Sequence, residues 1–454
     1  MRRYILLLIL FYNLNIFSQE KKLKNNLILF DFSLQKPLSD LSQNFGNNSS
    51  IGLGFLQNKN DFLKYQAQIS KTPLLINVKK ATGSYVYDDT NKRYIDLVAG
   101  VSSCTLGHSH PSINKAVREQ LDLHTHVMVY GEFALEPSVK LSKEIASKIS
   151  KNLEVIFLTN SGTEAVEGSL KLAKRYTGRK EIIAAYNSYH GSTHGSLSTV
   201  GVSYMQEKFQ PLLPMVNFIN FNHVKDLYKI SSNTACVILE TIQGGAGFIL
   251  PEKNFLKRVK KRCKEVGALL ILDEIQPGFG RTGKLFGYQN YEVEPDILIF
   301  GKAFGGGLPI GGFCSSKKIM DSLSFDPKLG HISTFGGNPV ISSASYAAIK
   351  ELYDKKIMDK INSKEKLFRK YLKHPLIQKI NGRGLMLALI LQKSSIADYL
   401  VKDCLKNGLI LFWLLWEKKA VRITPPLTIE NNEIKLGCQI ILNTLNKYQS
   451  KFVN

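Results

Sequence analysis

The chain has 454 residues, of which 44% are hydrophobic and 21% are charged, a composition that is typical of globular proteins and excludes global disorder. The length suggests two or three domains, and no apolar run reaches the roughly 18–20 residues of a membrane-spanning helix. The net charge of +23 comes mainly from lysines spread along the chain, without arginine-rich tracts or interleaved aromatic residues, so it indicates a solvated surface and not a nucleic-acid partner.

The N-terminal segment differs from the rest of the chain. Residues 1–18 resemble a secretory signal, with Arg2 and Arg3 before an apolar run, and the stretch to about residue 60 has the texture of an exported envelope protein. A wrongly assigned start codon or a gene fusion explains the same pattern, so these explanations stay open. From about Asp61 the pattern changes to regular strands and helices, and the function is sought there.

The first regular elements of the body are a hairpin and a helix. Segments 84–87 and 94–98 alternate between apolar and polar residues around the turn DDTNK, which predicts a hairpin. Pro111 then begins an amphipathic helix to about Leu123, at the helical position where the missing N–H of proline costs least.

Short apolar runs then alternate with helical segments, and the segment 163–176 carries a stripe of small and apolar residues. Repeated strand–helix units predict an α/β fold with a mainly parallel sheet that helices cover on both faces. From about residue 345, long helices, strands in RGLMLALIL and VRITPP, and a final helix predict a smaller α+β domain. The apolar runs are 155–158, 182–185, 235–239, 268–272 and 297–300.

Polar residues follow these runs, at the carboxyl ends of the predicted strands, where open α/β sheets bind ligands. They are Thr159 to Thr163, Glu240, Asp273 to Gln276, and Gly301-Lys302. We therefore expect all of them to meet in one site.

Ser161, Gly162 and Thr163 directly precede the helix of 163–176. Exposed N–H groups at a helix start, with two hydroxyls, predict a phosphate-binding cup. An ordinary Ser/Thr N-cap explains the same residues.

Asp273 and Lys302 each end a predicted strand that is apolar throughout. A buried carboxylate needs a cationic or hydrogen-bonding partner, either a protonated ring nitrogen of a ligand or a nearby Arg or Lys. A buried lysine has a lowered pKa and can act as a nucleophile, but Lys302 is equally well explained as an ion-pair partner of Asp273.

Four further patterns do not predict binding sites. The GxGxxG sequence at 278–283 lies beyond the end of its strand and opens no clear helix, both of which a dinucleotide-binding turn requires. GKA at 301–303 lacks the flanking residues of a P-loop. The pairs His108/His110 and His124/His126 lack helical metal-ligand spacing, and the six cysteines form no CxxC pair, so no metal site is predicted.

These residues lie in segments that together strongly resemble the class III pyridoxal-phosphate aminotransferases, of the acetylornithine, ornithine and 4-aminobutyrate type. The resemblance runs from about Phe62 to the C-terminus and implies fold type I. It also implies a division into an unrelated segment over 1–60, a first part of the small domain over 61–105, a large domain over 106–340 and the rest of the small domain over 341–454. The matching segments are NSGTEAVEGSLKLAKRYTGR, YHGST, LDEIQPGFGRTG, PDILIFGKAFGGGLPIG, STFGGNP and VRITPPL.

The resemblance implies a role for each candidate residue. Lys302 would hold the cofactor, pyridoxal 5'-phosphate, covalently and then move protons as general base and acid. Asp273 would pair with the pyridinium nitrogen and keep the ring an electron sink. The other cofactor-binding residues would be Ser161, Gly162 and Thr163 at the phosphate, Thr334 at the same phosphate from a neighbouring subunit, Tyr189 or His190 on one ring face, Ile275 on the other face, Gln276 near the phenolic oxygen, and Glu240.

Two departures from the family bear on the substrate. Many of these enzymes have HGRT where this chain has His190-Gly191-Ser192-Thr193, so an arginine that clamps a substrate carboxylate is absent. They have QGE where this chain has Gln243-Gly244-Gly245, so the glutamate that gates a second arginine is absent as well. We therefore hypothesise that Arg422 is free to bind the α-carboxylate of a substrate, with a salt bridge inside the small domain as the alternative.

The sequence thus predicts a cytoplasmic homodimeric transaminase with a cofactor site shared between subunits. It would move an amino group from an amino acid or an acetylornithine-like ω-amino donor to a 2-oxo acid such as 2-oxoglutarate or pyruvate. An aminomutase or decarboxylase with the same cofactor and fold is an alternative. An exported envelope or binding protein is a distant alternative, because only residues 1–60 suggest it.

Overall fold

A computed structural model describes residues 58–129 and 131–452 of the chain. The signal-like segment and most of the predicted N-terminal segment therefore lie outside the described residues. The chain divides into two compact units between Asn77 and Val78. In the first unit, residues 58–65 are helical.

The second unit contains the strands and helices that build the predicted body. Its helices are α1 (Pro111–Leu123), α2 (Glu136–Ala146), α3 (Gly162–Thr177), α4 (His194–Ser198), α5 (Ser203–Gln206), α6 (Phe255–Val266), α7 (Lys317–Met320), α8 (Pro339–Asp354), α9 (Ile361–Tyr371), α10 (Ser394–Lys406) and α11 (Asn431–Phe452). Its strands are β1 (Val78–Thr82), β2 (Tyr85–Asp88), β3 (Arg93–Asp96), β4 (Val155–Thr159), β5 (Glu181–Ala185), β6 (Val216–Ile219), β7 (Thr234–Glu240), β8 (Leu269–Asp273), β9 (Ile297–Gly301), β10 (Gly311–Ser315), β11 (Ile377–Arg383), β12 (Met386–Leu391), β13 (Leu409–Ile410), β14 (Phe412–Trp413) and β15 (Ala420–Ile423).

A seven-stranded sheet forms the centre of this unit, in the order β4-β10-β9-β8-β7-β5-β6. Its neighbours pair in parallel except for β10, which is antiparallel to both β4 and β9. Strands β7, β8 and β9 are buried along their whole length, as their continuous apolar sequences require. The α/β fold with a mainly parallel sheet is confirmed, and all five apolar runs are strands of it.

Helix α3 shows how the predicted stripe is used. Ala165 and Leu172 of this helix pack in one core cluster with Ile238 and Ile271 of the sheet. The helix ends at Gly178, which adopts the left-handed conformation (φ 68°) that closes many helices. The apolar stripe therefore faces the sheet and places the start of α3 at its carboxyl edge.

The two smaller sheets join distant parts of the chain. The predicted hairpin is the antiparallel pair β2–β3, and β13 then adds to β3 in parallel. The second sheet has the order β11-β12-β15-β14. Pairing of β3 with β13 is consistent with a small domain built from both ends of this unit, although the four-part domain division stays a prediction.

The described residues also bear on membranes and disulfides. Within the ranges 58–129 and 131–452, no helix is both long and apolar enough to span a membrane. The six cysteines, all of which lie in these ranges, are free.

Candidate active site

A cavity of about 430 Å³ lies at the carboxyl end of the central strands, a volume within the usual range of small-molecule sites. Most of the candidate residues predicted from the sequence line this cavity. Ser161 and Thr334 are the two candidates that do not line it. The predicted residues that do are Gly162, Thr163, Tyr189, His190, Glu240, Asp273, Ile275, Gln276, Lys302 and Arg422.

The sheet register places the charged residues of the cavity side by side. Glu240 and Asp273 are the last residues of β7 and β8 and are paired with each other in the parallel ladder. Lys302 directly follows β9 and has a positive φ of 47°, which is uncommon for a residue with a side chain. Strained backbone of this kind occurs preferentially at functional sites.

Burial changes the proton affinity of Lys302. Loss of hydration lowers the pKa of its amine to about 8; the Asp273 carboxylate opposes this change, and the Arg422 guanidinium adds to it. At pH 8 about half of the amine is therefore neutral, whereas a lysine of ordinary pKa is almost completely protonated. A neutral amine is the form that attacks a carbonyl group.

Asp273 pairs with His190 and not with Lys302. Its Oδ2 atom lies 2.8 Å from His190 Nδ1, and its Oδ1 atom accepts a hydrogen bond of 2.9 Å from the N–H of Ile275. Both side chains are buried. The ion-pair explanation for Lys302 is therefore not favoured, because the Asp273 carboxylate already has these partners.

Glu240 is held by the backbone. Its carboxylate accepts hydrogen bonds from the N–H groups of Tyr189, at 3.1 Å, and Gly244, at 2.9 Å. Burial raises the pKa of Glu240 to about 7, with the nearby His190 opposing the rise. Glu240 thus fixes the Tyr189 loop and brings a group that can carry a proton near neutral pH to the cavity.

Residues 161–163 cap a helix, and two of them also line the cavity where a phosphate is predicted to bind. The Ser161 side chain accepts a hydrogen bond from the N–H of Glu164, so it caps α3 as an N-cap residue. The helix start nevertheless faces the cavity at Gly162 and Thr163. A Cβ atom at Gly162 would lie 2.8 Å from Ile275 Cδ1, so a larger residue would have to displace the Ile275 side chain from this wall of the cavity.

A cluster of hydroxyl groups that the sequence motifs do not predict lies beside this helix start. Thr163 Oγ1 lies 2.8 Å from Thr193 Oγ1 and 2.7 Å from Ser196 Oγ. The Thr193 hydroxyl and the Ser196 N–H both donate to the Glu167 carboxylate. Ser196 lies outside the segments that resemble the family, and only the packing of α4 on α3 brings it to Glu167.

Two buried nitrogen atoms face the site without partners among the described residues: His190 Nε2 and Arg422 Nη1. Arg422 is 5% exposed, donates from Nε to the carbonyl oxygen of Trp413 at 3.1 Å, and forms no ion pair with any described carboxylate. Burial lowers the pKa of its guanidinium to about 10. The salt bridge considered for Arg422 is not present, so its guanidinium remains available for a ligand carboxylate.

The GxGxxG segment, His108 and Thr334 lie outside the cavity. The GxGxxG segment 278–283 lies in turns and is followed by a short 3-10 helix, Gly287–Asn290. His108 Nε2 lies 2.8 Å from Asp96 Oδ2, which gives it a structural partner. Among the described residues, no group of His, Cys, Asp and Glu side chains has the arrangement of a metal site. Thr334 is exposed on a loop outside the cavity, and its role across a subunit boundary stays a prediction.

The residues of the cavity fit pyridoxal phosphate. The buried Lys302 amine, whose pKa is lowered, matches the aldehyde of that group, and the buried Asp273 carboxylate matches its ring nitrogen. Gly162, at the start of a helix, matches its phosphate. The family model for "Aminotransferase class-III" matches residues 66–445.

The chain belongs to the class III aminotransferases.

Members of this family depend on pyridoxal phosphate. An acetylornithine aminotransferase of Clostridium acetobutylicum is 40% identical over 79% of this chain and 93% of that protein. A LysW-aminoadipate semialdehyde/glutamate semialdehyde transaminase of Sulfurisphaera tokodaii is 37% identical over 69% of this chain and 81% of that protein. The solved structure of an ornithine aminotransferase of Toxoplasma gondii, which carries pyridoxal phosphate at partial occupancy, matches with a TM-score of 0.82 at 27% identity. That match covers 92% of this chain and 100% of the other, and it confirms fold type I.

The bound cofactor supplies an electron sink that stabilises negative charge on the substrate carbon next to the amino group. The family membership therefore favours the enzyme over the exported binding protein. Of the predicted residues, ten line one cavity.

Proposed function

We propose that this class III aminotransferase moves an amino group from an amino acid or an ω-amino donor related to acetylornithine to a 2-oxo acid. The convergence of Lys302, Asp273 and Arg422 in one cavity is the observation that carries this proposal. The relatives named as acetylornithine and LysW-aminoadipate semialdehyde transaminases support an amino donor of this general type.

The geometry suggests a role for each side chain. Lys302 would hold the cofactor through its neutral amine and would carry the proton that moves at the substrate carbon. The Asp273 carboxylate, fixed by His190 and the Ile275 N–H, would hold a proton on the ring nitrogen. Since His190 is used in this pair, the Tyr189 side chain is the better candidate for packing on one face of the cofactor ring. The helix start at Gly162 and Thr163 would hold the phosphate.

The visible absorption spectrum of the purified protein, loaded with pyridoxal phosphate, tests this function. A cofactor band that converts to the pyridoxamine form with an amino donor, and returns with 2-oxoglutarate or pyruvate, would establish transamination. Release of a free oxo acid and dependence on an acceptor would separate it from an aminomutase or a decarboxylase. If folded protein forms no band, or if no donor and acceptor pair exchanges amino groups, the proposed function is wrong.

Replacing Arg422 with alanine should raise the KM for the 2-oxo acid by about 10²-fold, because a buried carboxylate would lose its charged partner, an effect of roughly 2–4 kcal/mol. The change in kcat should be much smaller. Arg422→Lys should give an intermediate KM, since the charge remains and the two-pronged geometry does not. Steady-state kinetics with 2-oxoglutarate and pyruvate give both constants.

Arg369→Ala is the control for this change. Arg369 donates to the carbonyl oxygens of Ile380 and Gly382 and to Glu365, outside the cavity. Its replacement should leave the KM of the oxo acid unaltered. An unaltered KM in Arg422→Ala would instead remove Arg422 from the substrate site.

We also propose that the protein is a homodimer whose partner supplies Thr334. The loop that carries Thr334 exposes Ile332 (47%) and Phe335 (56%), and Ile332 lines a surface cavity together with Phe133, which is 59% exposed. Exposed apolar surface of this extent is typical of an interface.

Light scattering should give twice the chain mass for the parent protein. Phe335→Lys should produce a monomer that binds the cofactor more weakly, because it would lose the contribution of the partner subunit. A monomeric parent protein would contradict the proposal.

A further inference from the structure

The largest completely buried side chain in the described part of the protein is that of Arg281, in the GxGxxG segment 278–283. Its guanidinium has no ion-pair partner among the described carboxylates, and its Nε and Nη2 atoms have no described hydrogen-bond partner. Burial lowers the pKa of the guanidinium to about 9, although the Cys104 thiol and the Asp96 carboxylate oppose this change. An apolar side chain of similar size would lose less hydration here, so stability alone does not explain an arginine.

The Arg281 guanidinium joins the ends of two strands. Its Nη1 atom donates to the carbonyl oxygens of Leu385, at 3.2 Å, and of Pro425. Leu385 directly precedes β12, and Pro425 lies two residues beyond β15. These strands pair in antiparallel register with Leu387 opposite Ile423, so two residues further along Leu385 is opposite Pro425. Since proline has no N–H, Pro425 cannot donate to the facing strand, and the guanidinium supplies a donor at this end of the ladder.

The backbone of Arg281 strengthens the same connection. Its carbonyl oxygen accepts a hydrogen bond of 2.9 Å from the N–H of Leu385. Gly384 has a φ of 62°, and a Cβ atom there would collide with the Arg281 carbonyl oxygen and lie 2.8 Å from Thr282 Cα. Both of these atoms belong to the backbone, which cannot turn aside as a side chain can. The turn after β8 is therefore held in direct contact with the start of β12.

The segments that Arg281 connects carry residues of the cavity. Asp273 and Gln276 lie at the end of β8 and at the beginning of the turn that leads to Arg281. Arg422 lies on β15, three residues before Pro425. A shift of this end of the β12–β15 ladder would therefore change the separation between Arg422 and the residues that would hold the cofactor. Small errors in the placement of a bound group can cause large losses in an enzyme reaction.

We propose that Arg281 is a positioning residue that fixes the place of Arg422 relative to Asp273 and Lys302, so that the carboxylate of the 2-oxo acid binds correctly. Arg281 does not line the cavity and acts through Arg422. Because its side chain is 0% exposed within one subunit, association with a second subunit does not alter its burial. This inference rests on the proposed transaminase function and on the role proposed there for Arg422.

Arg281→Met tests this role in the full-length enzyme loaded with pyridoxal phosphate. It removes the guanidinium and keeps most of the apolar volume. The KM for the preferred oxo acid, 2-oxoglutarate or pyruvate, should rise about tenfold while kcat stays within about threefold, because the loss is in binding. Arg281→Lys should raise the KM less, since an ammonium group can still donate to the two carbonyl oxygens. Steady-state kinetics at a saturating donor concentration give both constants.

Arg179→Met is the matched control. Arg179 Nη1 also donates to two carbonyl oxygens, those of Thr234 at 3.1 Å and Val266 at 2.9 Å. Arg179 does not line the cavity. Its replacement should lower the melting temperature and leave both kinetic constants unaltered.

A double-mutant cycle separates positioning from a general structural effect. If Arg281 acts through Arg422, Arg281→Met should lower kcat/KM for the oxo acid about tenfold in the parent enzyme and less than about twofold in Arg422→Ala. Two independent effects would multiply instead. A loss of the same size in both backgrounds would therefore overturn the proposal.

Binding of an unreactive carboxylate gives a readout without turnover. Glutarate and propanoate lack the oxo groups of 2-oxoglutarate and pyruvate. The dissociation constant of the matching analogue, measured by calorimetry on the loaded enzyme, should rise about tenfold in Arg281→Met and stay unaltered in Arg179→Met. Melting temperatures show which variants are folded, and Arg281→Lys takes the place of Arg281→Met in each experiment if the latter does not fold.

The outcomes separate this inference from the proposed function. Unaltered KM and unaltered analogue binding in the folded Arg281 variants would overturn the positioning role while the transaminase function stands. An unaltered KM in Arg422→Ala would overturn it as well, since Arg422 would then not bind the oxo acid. If no donor and acceptor pair exchanges amino groups in the parent protein, the proposed function fails, and the inference fails with it.

Discussion

Lys302→Met should lower kcat at least about 10³-fold, because it removes the group that we propose binds the cofactor covalently and moves the substrate proton. Methionine has nearly the shape of lysine and no charge, so it suits a buried position. The lowered pKa of Lys302 shows that the protein disfavours the charged amine at this site. The melting temperature of the variant should therefore equal or exceed that of the parent protein.

A chemical readout separates this loss from poor folding. Borohydride reduction of the parent protein loaded with pyridoxal phosphate should attach the cofactor to the peptide that contains Lys302, and mass spectrometry identifies that peptide. Lys302→Met should give no labelled peptide. Substantial activity in the variant, or labelling of another lysine in the parent, would show that Lys302 is not the cofactor-binding residue.

Lys364→Met is the matched control. Lys364 is also buried, at 7% exposed, and burial lowers the pKa of its amine. Its Nζ donates to the carbonyl oxygen of Leu427 at 2.6 Å, outside the cavity. This replacement should cost stability through the lost hydrogen bond and leave kcat and cofactor labelling unchanged.

Asp273→Asn should lower kcat about 10²–10³-fold, the usual cost of removing one preorganised electrostatic contact from an active site. The carboxylate is 3% exposed and is held by His190 and the Ile275 N–H, so it can stabilise a proton on the ring nitrogen in a site with little water. Asparagine keeps the shape but not the charge. Steady-state and single-turnover kinetics measure the effect.

An altered cofactor distinguishes the electrostatic role from a structural one. A pyridoxal phosphate analogue with a methylated, permanently cationic ring nitrogen should restore a large part of the activity of Asp273→Asn, because it needs no carboxylate to hold the proton. The same analogue should not help the parent protein. Activity within threefold of the parent in Asp273→Asn would contradict the assignment.

The chain offers a control with the same chemistry elsewhere. Asp226, 8% exposed, lies 2.7 Å from His223 Nδ1, outside the cavity. Its carboxylate also accepts a hydrogen bond of 2.7 Å from the N–H of Asn220. Asp226→Asn should lower the melting temperature and leave kcat unchanged, so a loss of activity specific to Asp273→Asn reflects the site and not the loss of any carboxylate–imidazole pair.

Much of the fold and the site could be predicted because the signals are local. Continuous apolar runs identify buried parallel strands, and the residue after each run is placed at the carboxyl edge by chain direction alone. Lys302, Asp273 and Glu240 were found in this way. Strand β10 was missed, since the sequence GGFCS has little strand propensity, and only its antiparallel insertion between β4 and β9 makes it a strand.

The sequence by itself determined the α/β class, the family and ten residues that line one cavity, because periodicity and motif spacing are properties of the chain. Only the tertiary structure decided which partner each buried charge has: His190 for Asp273, and no carboxylate for Arg422 among the described residues. It also decided that the Arg281 guanidinium joins Leu385 to Pro425. Contacts between residues far apart in sequence depend on packing, so local sequence patterns do not reveal them.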